Sequence, residues 1–539
     1  MPTVPELVIE YVKAKGINHF FGLPSSGVLL HLLEAGRQRD VEFVSTANES
    51  SGVIAAAYYG YFKGCAGLAI AIQGPGAGNM VSGAVNVQFE RKPVVCVCEC
   101  PAIDDFGAWG QQADHPSLFK STTKACLRIT KENAAQALHD AFCLAIRPRL
   151  GPVLLELPRN LGNCEAGMDL TKTQKPVPQA PNPETLSTVC DLVGSFKKPV
   201  IIAGDDVRTE GCIPTLLSLA ESLKAAVLVT MDGRGVFPET NRRFGCVYIG
   251  TAPPYALYRS FLAEADGVLV VGTDGRMKEA RWDFDIPVCE LVTQPEFPAL
   301  SGTPRLRLHG QLSTSLERLS HLKNQFGFPI SRIAELRDMA QPRFARPQGA
   351  RLAVNDIIAI TREQLPEDGL IFAETGVFQS MLEHLWPVTV PNTFFASTVG
   401  RTMGLTIPAL LGAKLACPDH PMVGFGTDGS TLMRLGELET FARTGTVAPL
   451  VIMNDGALGT IQAQQKFQRF PNYGLQLELV DFAHIAQGLG LKGVIVDRPE
   501  TFATALKQAM TADTATVIDA RVDPGPYRDS FMATTGMVQ

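Results

Sequence analysis

Long apolar runs are missing from this chain of 539 residues. No stretch approaches the roughly 20 residues of a membrane span, so no membrane association is expected. Positive charge is not in excess. The 48 basic residues face 54 acidic ones, a net charge of −6, which argues against a nucleic-acid partner. The 12 cysteines show no metal-finger spacing. In "CVCEC", Cys96, Cys98 and Cys100 fall at every second position and would share one face of a strand. No histidine pair follows them, so they read as small buried hydrophobes. Glycine and proline are scattered without a collagen-like period. The opening "MPTVPELVIEYVKAKG" mixes acidic and basic residues into an apolar pattern. It reads as an amphipathic helix rather than a signal peptide, and a soluble cytoplasmic protein is expected.

Apolar residues make up 45% of the chain and charged ones 19%, which suits a globular protein with a large core. At roughly 100–200 residues per domain, the length suggests three. Two polar, Pro-rich stretches, Lys172 to Glu184 and Asp338 to Arg351, read as linkers. They set expected domains at residues 1–171, 184–337 and 351–539. Within each, continuous Val/Ile-rich runs such as "PVVCVCEC", "DGVLVVGTDG" and "APLVIMNDG" alternate with helical patterns. Such runs indicate parallel strands covered on both faces. The expected fold is α/β, with three doubly wound parallel-sheet domains, and ligands outside the carboxyl ends of the strands.

"QGPGAGN", Gln73 to Asn79, follows a strand and opens a helix. A dinucleotide fingerprint needs a third glycine where Asn79 stands. The stretch therefore reads as a tight turn, although Glu99 lies at a tempting distance downstream. "GTDG" occurs twice, at Gly272–Gly275 and Gly426–Gly429, but only the second has a partner strand ending in "NDG". "STLMRLGELETFARTG" between them predicts a crossover helix, with Leu432, Leu435, Leu438 and Phe441 on one face. Neighbouring parallel strands would then present Asp428 and Asn454-Asp455 at one edge. Oxygen ligands from two strand ends suit Mg²⁺ or Ca²⁺, and magnesium commonly bridges to a phosphate. Gly429-Ser430 would open a helix whose N–H groups favour an anion. The alternative is two acidic loop caps.

On these residues the sequence resembles the thiamine diphosphate-dependent enzymes of the acetolactate synthase, benzoylformate decarboxylase and pyruvate decarboxylase group. Their signature begins with G-D-G and ends in N-N. This chain has Thr427-Asp428-Gly429 and Asn454-Asp455, one departure at each end. "FFGLPSSGVLLHLLEAG", "STANESSGVIAAAYYGYFKG", "QGPGAGNMVSGAVNVQFERKPVV" and "GRTMGLTIPALLGAKLA" resemble further family segments in the same order.

The resemblance implies a cofactor, thiamine diphosphate with Mg²⁺, held between the first domain of one subunit and the third of another. A homodimer or homotetramer is thus implied. Glu49 matches the glutamate that hydrogen-bonds the aminopyrimidine and promotes loss of the thiazolium C2 proton. The ylide so formed attacks a carbonyl, and the resulting carbanion or enamine carries the chemistry. Met403 matches the apolar prop under the cofactor, and Arg401 matches the group that holds the pyrimidine through its backbone. Gly376, Val377 and Phe378 belong to the loop approaching pyrimidine and diphosphate. Thr427, Asp428, Gly429 and Ser430, with Ala457, Leu458 and Gly459, match diphosphate-contacting positions. Asp428, Asp455 and the carbonyl of Ala457 match the metal ligands, with Asn454 as the alternative to Asp455.

The reacting pocket is less clearly marked. Ser26 in "LPSSG" matches a position where a hydroxyl can bind the carboxylate of a 2-oxo acid. The catalytic histidines of benzoylformate decarboxylase do not carry over, since their neighbourhoods fall near Ile72 and Lys278-Glu279. Gln112 and His115 in "GQQADHPSLFK" are the remaining candidates, His115 as an acid–base group. Some members carry FAD or an adenine nucleotide in the middle domain, but no flavin motif is found in "GDDVRTEGCIPTLL" or "GTDGRMKEARWDFD". The expected activity is decarboxylation of a 2-oxo acid. The alternative is a carboligase or lyase of the acetolactate synthase or benzaldehyde lyase type.

Overall fold

The computed structural model describes residues 1–102, 105, 110–167, 179–248, 258–275, 282, 284–339 and 344–523. Parts of both expected linkers, and Lys278-Glu279, lie outside the described residues.

The described residues build three six-stranded sheets, each fully parallel. The first contains β1 (His19–Gly22), β2 (Glu42–Ser45), β3 (Gly67–Ala71), β4 (Val94–Cys100), β5 (Cys126–Arg128) and β6 (Pro152–Pro158), in the order β2-β1-β3-β4-β6-β5. The second contains β7 (Pro199–Ala203), β8 (Ala226–Thr230), β9 (Phe244–Tyr248), β10 (Gly267–Val271), β11 (Val288–Val292) and β12 (Leu306–His309), in the order β12-β11-β10-β7-β8-β9. The third contains β13 (Leu370–Ala373), β14 (Phe394–Ala396), β15 (Met422–Thr427), β16 (Pro449–Asn454), β17 (Lys492–Val496) and β18 (Thr516–Arg521), in the order β14-β13-β15-β16-β18-β17. Helices cover both faces, so central strands such as β4, β7, β10 and β16 are buried along their whole length. Cys96, Cys98 and Cys100 lie buried on β4 as free thiols. Among the described residues, no helix is long and apolar enough to cross a membrane.

The first and third sheets share one hydrophobic core. Its centre is the crossing of the helices Glu49–Phe62 and Thr406–Ala416, both apolar around most of their circumference and buried accordingly. Glycine permits the approach. A Cβ on Gly412 would lie 2.0 Å from the Ala55 carbonyl oxygen.

The crossover between β15 and β16 differs from the single helix that the spacing predicts. It forms two short helices, Asp428–Leu432 and Glu437–Arg443. Leu438 and Phe441 are buried, but Leu432 is exposed. The break comes where Arg434 leaves the helical path, donating to Gly404 O (3.2 Å) and Ser50 Oγ (2.6 Å). Gly436 then caps the second piece.

Candidate active site

β15 and β16 pair in parallel, with Thr427 opposite Met453, so Asp428 and Asn454-Asp455 leave the sheet together at its carboxyl edge. Between them and the starts of two helices lies a cavity of 370 Å³. Gly376, Val377 and Phe378 line one wall, where the helix Val377–Leu385 begins. Leu458, Gly459 and Thr460 line another, at the start of the helix Gly459–Phe467. Arg401, Met403, Thr427, Asp428, Asp455 and Ala457 complete the enclosure. Two helix starts aimed at one cavity suit an anion, because their first N–H groups have no intrahelical acceptor.

Asp428 is buried, and the fold supplies donors to it. Gly429 N–H reaches its Oδ1 at 2.7 Å, while Gly456 (2.8 Å) and Ala457 (3.2 Å) donate to Oδ2. Burial nevertheless raises the pKa of Asp428. Asp455 is pushed up to about 7, first by burial and then by the Asp428 charge. Two carboxylates that disfavour each other's ionisation in a half-enclosed cavity match the donor set of a hard divalent cation. Asn454 faces elsewhere, donating to Val480 O (2.8 Å) and Asp519 Oδ1 (2.9 Å). Strand alternation explains the split, since successive side chains point to opposite faces.

Gly429 and Ser430 are not among the residues lining the cavity. Ser430 N–H donates to Thr427 Oγ1 at 3.3 Å, and Thr427 N–H donates to Ser430 Oγ at 3.1 Å, closing a capping box. The first amides of that one-turn helix are thus used locally, and the helix starts at Val377 and Gly459 are the ones facing the cavity. Gly429 matters for its missing side chain. A Cβ there would lie 2.8 Å from Leu458 Cδ2 and 3.4 Å from Met403 Cε.

Sequence alone marks Glu374 only as the first residue of its loop. It directly follows β13 and is 1% exposed. It accepts N–H bonds from Gly404 (3.0 Å) and Thr406 (2.6 Å), pinning the turn after Met403. Burial pushes its carboxyl up to about 7, against the lowering effect of those amides and of Arg434.

Glu49 opens its helix behind the cap Asn48, whose side chain accepts from Ser50 N–H. Glu49 is buried and accepts from exposed Asn79 Nδ2 at 3.0 Å. Asn79, which breaks the dinucleotide fingerprint, is therefore the partner of the candidate catalytic acid. Neither Glu49 nor Ser26 lines the 370 Å³ cavity of the same chain. Ser26 is exposed in the loop after β1. Glu99 packs under this loop, where a Cβ on Gly27 would lie 2.5 Å from its Oε2. It thus sits beneath a helix start instead of facing a ribose.

His115 is fully buried. Its Nε2 accepts from Gly74 N–H at 3.2 Å, and its Nδ1 lies 3.3 Å from Glu156 Oε1. Nε2 is thus engaged by the Gly74 turn, while Nδ1 faces Glu156 without a hydrogen bond. Half-buried Gln112 donates to Asp105 O at 3.3 Å. The neighbouring Gln111 carbonyl packs on Gly74, where a Cβ would lie 2.1 Å from its oxygen.

At the carboxyl edge of the second sheet, Asp205, Asp206, Asp232 and Asp274 surround the guanidinium of Arg91 from the first domain. Asp274 belongs to the first "GTDG". This edge, beside the paired strands β7 and β10 where the strand order reverses, is the usual nucleotide crevice of such sheets. Here its carboxylates are taken up by Arg91, Arg149 and Arg208.

A parallel α/β architecture, repeated three times, with an acidic pair and two helix starts around one cavity, suits an enzyme that holds an anionic cofactor at the carboxyl edge of a sheet. Three family models cover the chain in order. The thiamine pyrophosphate enzyme N-terminal TPP binding domain matches residues 2–120, the central domain 186–288, and the C-terminal TPP binding domain 374–520. The chain belongs to the thiamine pyrophosphate enzymes. A probable acetolactate synthase large subunit of Methanocaldococcus jannaschii is 26% identical over 96% of this chain and 92% of its own length. The acetolactate synthase isozyme 2 large subunit of Escherichia coli is 24% identical over 96% and 95%. The fold matches that of a Rhodococcus jostii thiamine diphosphate-dependent 4-hydroxybenzoylformate decarboxylase, with a TM-score of 0.83 at 22% identity over 97% of this chain and 99% of that one. The protein is a thiamine diphosphate-dependent enzyme of the acetolactate synthase and decarboxylase group.

Proposed function

We propose that the protein uses thiamine diphosphate and Mg²⁺ to remove CO₂ from a 2-oxo acid and join the remaining acyl carbon to a second carbonyl compound. When bound, the cofactor supplies an electron sink for bonds next to a carbonyl. The residues of this chain do the rest. Asp428, Asp455 and the Ala457 carbonyl would hold the metal, and the helix starts at Val377 and Gly459 would hold the diphosphate. Met403 and Arg401 would support the ring system, with Glu374 keeping their turn in place. Glu49, oriented by Asn79, would exchange a proton with the aminopyrimidine, and Ser26 would meet the substrate carboxylate. Because Glu49 stands apart from the cavity of its own chain, a complete site needs a second copy. A cytoplasmic homodimer or homotetramer is the proposed form.

The observation that carries the carboligase reading is the burial of His115 between Gly74 and Glu156. A simple decarboxylase must protonate its product carbon, and this histidine, the acid–base candidate, is turned inward. The kinship with acetolactate synthases supports the same reading. Decarboxylation with release of an aldehyde is the second reading, favoured by the fold match to a decarboxylase and by exposed Ser26. Incubating the enzyme with pyruvate or benzoylformate, with and without an acceptor aldehyde, separates the two. A 2-hydroxy ketone that displaces aldehyde as the acceptor rises supports ligation. An aldehyde yield indifferent to the acceptor supports the second reading, and no CO₂ from either acid would sink both.

A further inference from the structure

Three consecutive charged residues, Glu90-Arg91-Lys92, end the helix Pro75–Phe89, and all three are buried. Burying one charge is costly unless it is paired, and burying three in a row needs partners on several sides. Each turns to a different neighbour. Lys92 Nζ lies 4.5 Å from the ring centre of Tyr61 and 5.6 Å from those of Tyr58 and Phe395. Arg91 enters the crevice of the second sheet, 3.1 Å from Asp274 Oδ2 and 3.3 Å from Asp232 Oδ2. Glu90 enters the third domain. Its Oε1 accepts from Ser397 Oγ (3.4 Å) and Gly400 N–H (3.3 Å), and its Oε2 from Thr398 N–H (3.3 Å) and Thr398 Oγ1 (3.2 Å).

The loop that Glu90 grips continues into the cavity wall. Ser397 Oγ accepts from Thr402 N–H at 2.7 Å, one residue before Met403. Ser397 O accepts from Gln379 Nε2 at 2.9 Å, and Gln379 also lines the cavity. Arg401, in the same loop, has a φ of +44°, a left-handed conformation that a non-glycine residue holds only under constraint. A carboxylate is the group the loop requires here. It offers acceptors only, and all four contacts are donors.

We propose that Glu90 is a positioning residue for the cofactor loop Ser397–Met403, held in place by the seating of Arg91 in the second domain. The proposal rests on the reading that this loop contacts thiamine diphosphate. The second domain then serves the active site as an anchor instead of as a nucleotide-binding module. Its influence runs from the carboxylates around Arg91, through the helix end, to Glu90, Ser397 and Thr402.

The test is titration of thiamine diphosphate into full-length apo-protein in saturating Mg²⁺, by calorimetry, with the apo Tm measured alongside. Glu90→Gln turns one acceptor oxygen into an N–H₂ donor and should raise the cofactor Kd about tenfold, as should Ser397→Ala. In the double variant the effects should not multiply, because both substitutions break one relay. Arg91→Lys keeps the charge but loses the fork, and should weaken binding in the same direction. Should Glu90→Gln fail to fold, Ser397→Ala and Thr398→Val decide the matter from the loop side. Unchanged Kd in the Glu90 and loop variants, while Asp428→Ala abolishes binding, overturns the proposal alone. So does a double variant whose losses multiply, or a fall in Tm without a change in Kd. Unchanged Kd in Asp428→Ala would instead overturn the reading of the site.

Discussion

Asn79 Nδ2 donates to Glu49 Oε2 across 3.0 Å, joining the start of one first-domain helix to the fifth residue of the next. The amide leaves one lone-pair side of the carboxylate committed and the other open. Glu49→Gln should lower kcat by roughly 10²–10⁴-fold, the usual range for loss of a positioned acid–base group. Asn79→Ala should lower it about tenfold, since the carboxyl stays but loses its orienter. Steady-state kinetics at saturating cofactor, with the Tm of each variant, checks the pair. Equal losses in both variants would contradict the division of roles.

Asp455 puts a second carboxylate beside Asp428 at the proposed metal position. Without a cation the two repel each other and any diphosphate. Removing Mg²⁺ with a chelator should therefore weaken thiamine diphosphate binding by at least about a hundredfold. In Asp455→Asn the penalty should shrink by about tenfold while Mg²⁺ affinity falls. Calorimetric titration with and without Mg²⁺ measures both, and unchanged metal affinity in Asp455→Asn would speak against Asp455 as a ligand.

His115 holds the Gly74 turn through Nε2, within the core of the first domain. His115→Ala should cost about 1–3 kcal/mol of stability by leaving a buried N–H and a carboxylate short of partners. Turnover of the folded enzyme should stay within about threefold of wild type. Urea unfolding and kcat together distinguish this from chemistry. A hundredfold loss of kcat at unchanged stability would return His115 to the catalytic groups.

Glu374 is an acid whose pKa in the fold is about 7, above its ordinary value of 4.5. The folded state holds that proton more tightly, so the stabilising contribution is full below pH 4.5 and is lost as pH rises through about 7. Wild type should lose on the order of 1–3 kcal/mol across this window from this group alone. Glu374→Gln should show a shallower decline in urea midpoint over the same range. Parallel pH profiles for the two proteins would refute the assignment.

The sequence carried much of this molecule in short-range pattern. Val/Ile runs between amphipathic stretches announced parallel sheets, because a strand buried on both faces must be apolar throughout. The acidic exits at Asp428 and Asp455 were visible for a similar reason, since charge at the end of a buried strand is anomalous where it stands. Other features were invisible. Asn79 looked like a broken fingerprint until Glu49, thirty residues away in sequence, proved to be its partner. His115 looked like a candidate acid, and only the fold shows it buried beside Gly74 and Glu156.

Glu90-Arg91-Lys92 shows the limit most plainly. Composition gives no reason to bury three adjacent charges. Only the tertiary structure supplies the rings of Tyr58, Tyr61 and Phe395, the four aspartates and the loop donors. Local sequence determined which segments become strands, turns and apolar helices, because those choices depend on neighbours in the chain. Which charges are buried, and what each one holds, depends on groups from about thirty to more than three hundred residues distant, and packing alone brought them together.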